Sequence, residues 1–223
     1  MCGRFTLTAS LEEIAAHFRF LAGGLEWRPR YNIAPSQQVL AIVRSPEGHR
    51  KGGYLRWGLI PPWAKDPSIG SRMINARSES VWSKPAFRRA IAKRRCLIPA
   101  DGFYEWPRHT SVKRPVYIQL QPPRLFAMAG LWERWRSQDG EEIVSCTILT
   151  TSANRMLAHY HERMPVILAP EDEDLWLDPL ATAEELQSLM HPYPEDEMTT
   201  RFVSTRVNSP KNDDADCLQP SEG

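Results

Sequence analysis

Four short segments gather side chains able to make bonds or move protons. The first is the start of the chain, Met1-Cys2-Gly3-Arg4-Phe5. Loss of Met1, which a small following residue permits, would leave Cys2 with a free α-amine on the carbon next to its thiol. Such groups titrate near about 8 and about 8.5, so both are reactive around neutrality, unlike a lysine amine near about 10.4. The amine can condense with an aldehyde to an imine, and the thiol can then close a thiazolidine ring, an intramolecular step favoured by effective concentration. On its own, Cys2 reads first as an ordinary residue of an untidy terminus. The second segment, Asn75-Ala76-Arg77-Ser78-Glu79, offers an amide that both donates and accepts and a guanidinium that can fork onto a phosphate. A helix N-cap with local pairing would use the same residues. The third, Ala100 to Trp106, sets Glu105 among aromatic residues, where burial would raise its pKa toward a range useful for proton transfer. Strand alternation puts Phe103 and Glu105 on one face, Tyr104 and Trp106 on the other; the plainer alternative is an exposed strand glutamate. The fourth, His159-Tyr160-His161-Glu162-Arg163-Met164-Pro165, supplies histidines that titrate near neutrality. No third ligand of suitable spacing accompanies His159 and His161, so no metal is expected.

These segments need elements to hold them. An amphipathic helix is expected over 8–21, opened by a capping box of Ser10 and Glu13. Strands are expected at 38–43 and 53–59, then an irregular loop at Ile60-Pro61-Pro62-Trp63, because consecutive prolines fit neither helix nor central strand. Residues 79–93 have helical character broken by Pro85, and strands follow at 95–99, 102–106, 114–120, 125–132 and 143–150. A helix at 153–158, a strand at 165–169, helices at 170–177 and 181–190 and a strand at 200–205 complete the reading, with a polar tail after 208. Many short strands with helices between them imply an α+β domain, mostly antiparallel. There is no βαβ rhythm and no Gly-rich phosphate loop, so no nucleotide cofactor, or any other, is expected. One domain is expected over 1–219, with 220–223 loose.

The composition, 42% hydrophobic and 25% charged over 223 residues, is that of an ordinary globular protein. No apolar run approaches the ~20 residues that span a bilayer, and the N-terminus lacks a secretory pattern, so a cytoplasmic protein without membrane contact is expected. The four cysteines, Cys2, Cys96, Cys146 and Cys217, have no zinc spacing; Cys96 and Cys146 lie in strand-like runs as small buried hydrophobes. A net charge of +1 gives no general attraction for nucleic acid, but local phosphate contacts decide that affinity. The basic residues are mostly arginines, which suit phosphate forks and stacking.

Taken together, the chain resembles the SOS response-associated peptidase (SRAP) family. The resemblance rests on Met1-Cys2-Gly3-Arg4-Phe5, Arg30 to Pro35, Trp57 to Pro61, Ile74 to Glu79, Cys96 to Trp106, Leu149-Thr150-Thr151, His161 to Val166, and Val203-Ser204 to Asn208. It covers nearly the whole chain in family order. It implies a β-barrel-like core with a positively charged channel, and a thiazolidine between Cys2 and the ring-opened sugar of an abasic site in single-stranded DNA. By the same resemblance Asn75 holds the Cys2 amine or the sugar oxygen, Glu105 assists proton movements, and His161 serves ring opening. Arg4, Asn32, Arg77 and Arg163 contact DNA or shape the pocket, with Trp63 and Thr150 as looser candidates. The resemblance also implies autoprocessing at Met1. A monomer that associates with the nucleoid when bound to DNA is expected, with replication or repair proteins as further partners. The rival readings are an N-terminal-nucleophile amidohydrolase, a protease acting on other proteins, and a non-covalent single-stranded DNA-binding module.

Overall fold

Strands rich in Val, Ile, Leu and Ala need two covered faces; a sheet that closes on itself covers the inner one, and helices packed outside help cover the other. The computed structural model describes residues 2–107 and 114–221. In it, β1 (Phe5–Leu7) precedes helix α1 (Leu11–Phe18), and β2 (Arg30–Ile33), β3 (Gln38–Arg44) and β4 (Arg50–Trp57) follow. After a long excursion come β5 (Asn75–Arg77), α2 (Arg88–Lys93), β6 (Arg95–Ala100), β7 (Gly102–Glu105) and β8 (Val116–Leu120). Two long strands, β9 (Phe126–Arg136) and β10 (Glu142–Ser152), lead to α3 (Arg155–Ala158), β11 (Arg163–Pro165) and β12 (Ile167–Leu168). Helices α4 (Glu173–Leu177) and α5 (Ala183–Ser188) and strand β13 (Met198–Phe202) follow.

The barrel closes in the order β10-β4-β3-β6-β9 and back to β10. Its pairs are antiparallel except where β10 runs parallel to β4. Ile42, Leu97, Ile98, Met128, Leu131, Cys96 and Cys146 are buried in this core. The two thiols are therefore the small hydrophobes that their strands suggested. A second, antiparallel sheet has the order β13-β8-β7-β1-β2. The structure is thus the expected α+β fold with a barrel core.

Element bounds differ from the sequence reading in ways the geometry explains. The capping box of Ser10 and Glu13 is present, but α1 ends where Arg19 turns left-handed with φ 54°. Residues 78–87 form turns around Pro85, leaving only α2 as helix in that stretch. The expected strand at 165–169 is two strands: β11 on β10, and β12 on β9. Of the expected loose tail, Pro220 bridges to Val203 and Ser221 donates to the Phe202 and Val203 carbonyls, while 222–223 lie outside the described residues. Part of the segment before β8, residues 108–113, also lies outside them.

Candidate functional site

The candidate site forms where β10 changes neighbours. On one edge β10 leaves β9 and pairs with β11; on the other it leaves β4 and pairs with β5, in parallel, with Asn75 opposite Ile148 and Arg77 opposite Thr150. The chain reaches β5 through residues 58–74, which are fastened at their roots. Gly58 N–H donates to Cys146 O at 2.8 Å, Leu59 N–H to Met73 O at 3.1 Å, and the Trp57 indole to Ile74 O at 2.9 Å. Gly58, with φ 128°, passes so close to Gly70 that a Cβ there would lie 2.6 Å from the Gly70 carbonyl oxygen. Only glycine fits that crossing. Trp63 stands outward on this excursion, 58% exposed.

The terminal strand enters from the other sheet. Phe5 pairs with Phe103 on β7, and Tyr104 N–H donates to Arg4 O at 3.0 Å. Continuing that register sets Gly3 across from Glu105, so Glu105 comes up beside Cys2. The Asn75 amide donates to the Cys2 carbonyl at 2.9 Å, and Asn75 Oδ1 is buried without a hydrogen-bond partner among the described residues. Cys2 is fully buried. Burial pushes its thiol far above the ordinary range, and the nearby Glu105 carboxylate pushes it further. The structure thus brings Cys2, Asn75 and Glu105 together. It also gives a physical constraint: with Met1 in place, the thiol is held protonated, the reverse of the lowered pKa that arms a thiolate nucleophile.

His161 is buried at the foot of β11. Its Nδ1 accepts the Arg163 N–H at 2.9 Å, which puts the proton of the neutral ring on Nε2. Arg163 forks onto Glu79 at 2.5 and 2.9 Å and also donates to Thr150 O at 2.5 Å. This pairing holds the Glu79 carboxyl below its ordinary range. Arg163 is buried and charge-paired, and the side chain of Thr150 is buried beneath it. Arg77 is exposed, and its guanidinium makes no hydrogen bond among the described residues.

Arg4 is half-buried, and a C-terminal strap braces it. It donates to Asn32 Oδ1 and Val207 O, both at 2.8 Å, and its guanidinium lies 5.7 Å from the Trp106 ring centre. The Trp106 indole donates to Asn208 Oδ1 at 2.7 Å. Asn32 is fully buried, and its amide donates to the Val207, Ser209 and Asn212 carbonyls. Its place is therefore under Arg4, pinning the strap. Asp213 completes the attachment by accepting from Tyr31 N–H at 2.7 Å, Asn32 N–H at 2.9 Å and Arg30 Nε at 2.5 Å. Sequence reasoning passed over Trp106, Asn208 and Asp213. The signals available were the position of Trp106 directly after Glu105 and that of Asn208 at the end of a segment carrying the family resemblance. Among the described residues no group of three or more His, Cys, Asp or Glu could hold a metal ion. No described helix is long and apolar enough to cross a membrane.

Comparison with known proteins follows the same outline. The family model described as SOS response associated peptidase (SRAP) matches residues 1–210. The abasic site processing protein YoaM of Bacillus subtilis is 50% identical, over 98% of this chain and 97% of that one. The abasic site processing protein HMCES of Xenopus tropicalis is 30% identical, over 98% of this chain and 78% of that one. Among solved structures, a protein from Bacteroides thetaiotaomicron superposes with a TM-score of 0.90 at 28% identity, covering 99% of this chain and 100% of that one.

Proposed function

The chain belongs to the SOS response associated peptidase (SRAP) family, and from that premise we propose that it captures abasic sites in single-stranded DNA through Cys2. The observation that carries this reading is the convergence of the Asn75 amide and the Glu105 carboxylate on a buried Cys2. The names of the relatives, abasic site processing proteins, support the substrate class.

The chemistry runs in two stages after Met1 is lost. The Cys2 amine adds to the aldehyde carbon of the ring-opened sugar, and the adduct expels water to give an imine. The thiol sulfur then adds to the imine carbon while its proton passes to the nitrogen, closing the thiazolidine. No oxidant is consumed, and water is the only leaving group. In this order the amine acts first, and the sulfur proton is needed at the second stage. The Asn75 amide orients the terminus, Glu105 exchanges protons with the amine and the departing oxygen, and His161 assists sugar opening through Nε2. Arg4 and Arg77 hold the flanking phosphates, and exposed Trp63 stacks on a neighbouring base. Asn32, Thr150 and Arg163 shape the pocket from beneath. The amidohydrolase and protease alternatives would need an oxyanion hole and an acyl-substrate pocket beside Cys2, and incubation with acyl-amide substrates separates them from the DNA reading.

The test uses untagged protein, single-stranded DNA bearing one abasic site, and a denaturing gel. A heat-stable shifted band that requires both the lesion and Cys2 is expected. A band that persists with Cys2→Ser, or none from protein shown by mass to have lost Met1, would overturn the reading.

A further inference from the structure

The barrel has a second open end, at the far end of β10 from Cys2. Val144 lies at this mouth and Thr150 at the site, about 20 Å apart along an extended strand. Two cavities of about 220 and about 890 Å³ meet here and share Val43, Lys51, Trp132 and Arg134, so they form one groove. Its floor is apolar, with Val43, Leu55, Val144 and a half-buried Trp132.

Its walls are cationic. The larger cavity is lined by Arg44, Lys51, Lys93, Arg95 and Arg134, against the carboxylates of Glu47 and Asp178 only. Several of these cations already have partners. Arg95 is buried and donates to the Trp176, Ile91, Ala92 and Asp178 carbonyls. Arg44 and Arg134 lie 3.5 Å from Asp174 and Glu142. Lys51 and Lys93 are exposed and have no ion pair among the described residues. Next to the groove, Arg94 stacks 5.3 Å from the Trp132 ring centre while it pairs with the buried Glu133 carboxylate, and Arg89 and Arg134 are near enough to lower its pKa after burial has done so. In a chain of net charge +1, this is a local concentration of positive charge around an aromatic floor. That combination of a cationic groove and an aromatic side chain fits a single nucleic-acid strand: the cations follow the phosphates, and the apolar floor receives a base.

We propose that this far-mouth groove is a second contact for the phosphate backbone of the same DNA strand whose lesion enters at Cys2. The inference rests on the single-stranded DNA reading above. The occupied length of strand is then greater than the Cys2 site alone covers. The affinity for a long strand draws on counterions released at both ends of β10.

The test measures equilibrium binding of undamaged strands of about 8 and about 24 nucleotides as salt is varied. Wild-type protein is compared with the double substitution Lys51→Gln and Lys93→Gln, both at exposed side chains. Each phosphate contact on a single strand contributes about 0.7 to the slope of log affinity against log salt, so the long strand's slope should become shallower by about 1.4. The short strand, held at the Cys2 end, should keep its slope. An unchanged slope for the long strand, or equal losses for both strands, would overturn the proposal. Failure of the Cys2 reading shows separately, as absence of the heat-stable adduct with wild-type protein.

Discussion

Removing the Asp213 carboxylate should loosen the site from behind. In Asp213→Ala, the Tyr31 and Asn32 amides and Arg30 Nε lose their acceptor together. The Asp213 side chain is 12% exposed and Asn32 is fully buried, so water replaces these bonds poorly. A fourth bond, from Arg28 at 3.4 Å, comes from an exposed side chain and adds little. Hydrogen bonds to a charged partner contribute about 1.5–3 kcal/mol each, and breaking a buried pair costs about 3–5 kcal/mol in all. The expected loss for Asp213→Ala is therefore about 3–5 kcal/mol, read as a lower urea midpoint with unchanged slope. In a chain of this size that corresponds to a melting point lower by about 6–20 °C. Asp213→Asn keeps an oxygen for the two amides and should lose only about 1–2 kcal/mol. Its adduct formation should be slower even where it is fully folded, because Arg4 takes its position from Asn32 and the strap. A midpoint for Asp213→Ala within about 0.5 kcal/mol of wild type, as at an ordinary surface position, would refute the reasoning.

Two further outcomes follow from burial and from backbone geometry. Burial raises the thiols of Cys2, Cys96 and Cys146, so the folded state holds their protons more tightly than the unfolded chain does. Stability from this source is complete below about pH 8.5, the unfolded thiol value, and is lost as pH rises from there toward the higher folded values. The loss should reach about 1.4 kcal/mol per pH unit for each thiol, and urea midpoints that stay level between about pH 8 and 10 would contradict it. Gly58→Ala meets the Gly70 carbonyl and an unfavourable φ, and should cost about 2–3 kcal/mol with a matching fall in adduct yield. Gly23→Ala, with nothing within 4 Å of the added carbon, is the control and should melt like wild type.

Much of the fold was legible because its causes are local. Ser10 and Glu13 start α1 as a capping box should, and Pro85 breaks the helix in its stretch. The strands that escaped notice, β1, β2 and β5, have three or four residues each and owe their conformation to partners far away in sequence. No period can be read from so few residues. The site divides in the same way. Cys2, Asn75 and Glu105 drew attention through their chemistry. The roles of Arg163 and Asn32 were hidden, because a forked partner such as Glu79 or a receiving carbonyl such as Val207 O is chosen by tertiary contact. The strap's acidic residues looked like a solvated tail, and only the fold shows Asp213 turned inward on β2.

That strap also sets an order of events in time. Arg4 is made about two hundred residues before Val207 and Asp213, which hold it and its neighbour Asn32. On the growing chain the terminus therefore has no finished cradle, and Cys2 is open to whatever removes Met1. Docking of the strap ends that interval by fixing Arg4 and Asn32 beside the terminus. Maturation of the reactive terminus is in this way scheduled ahead of the completion of its cradle by the order in which the polypeptide is made.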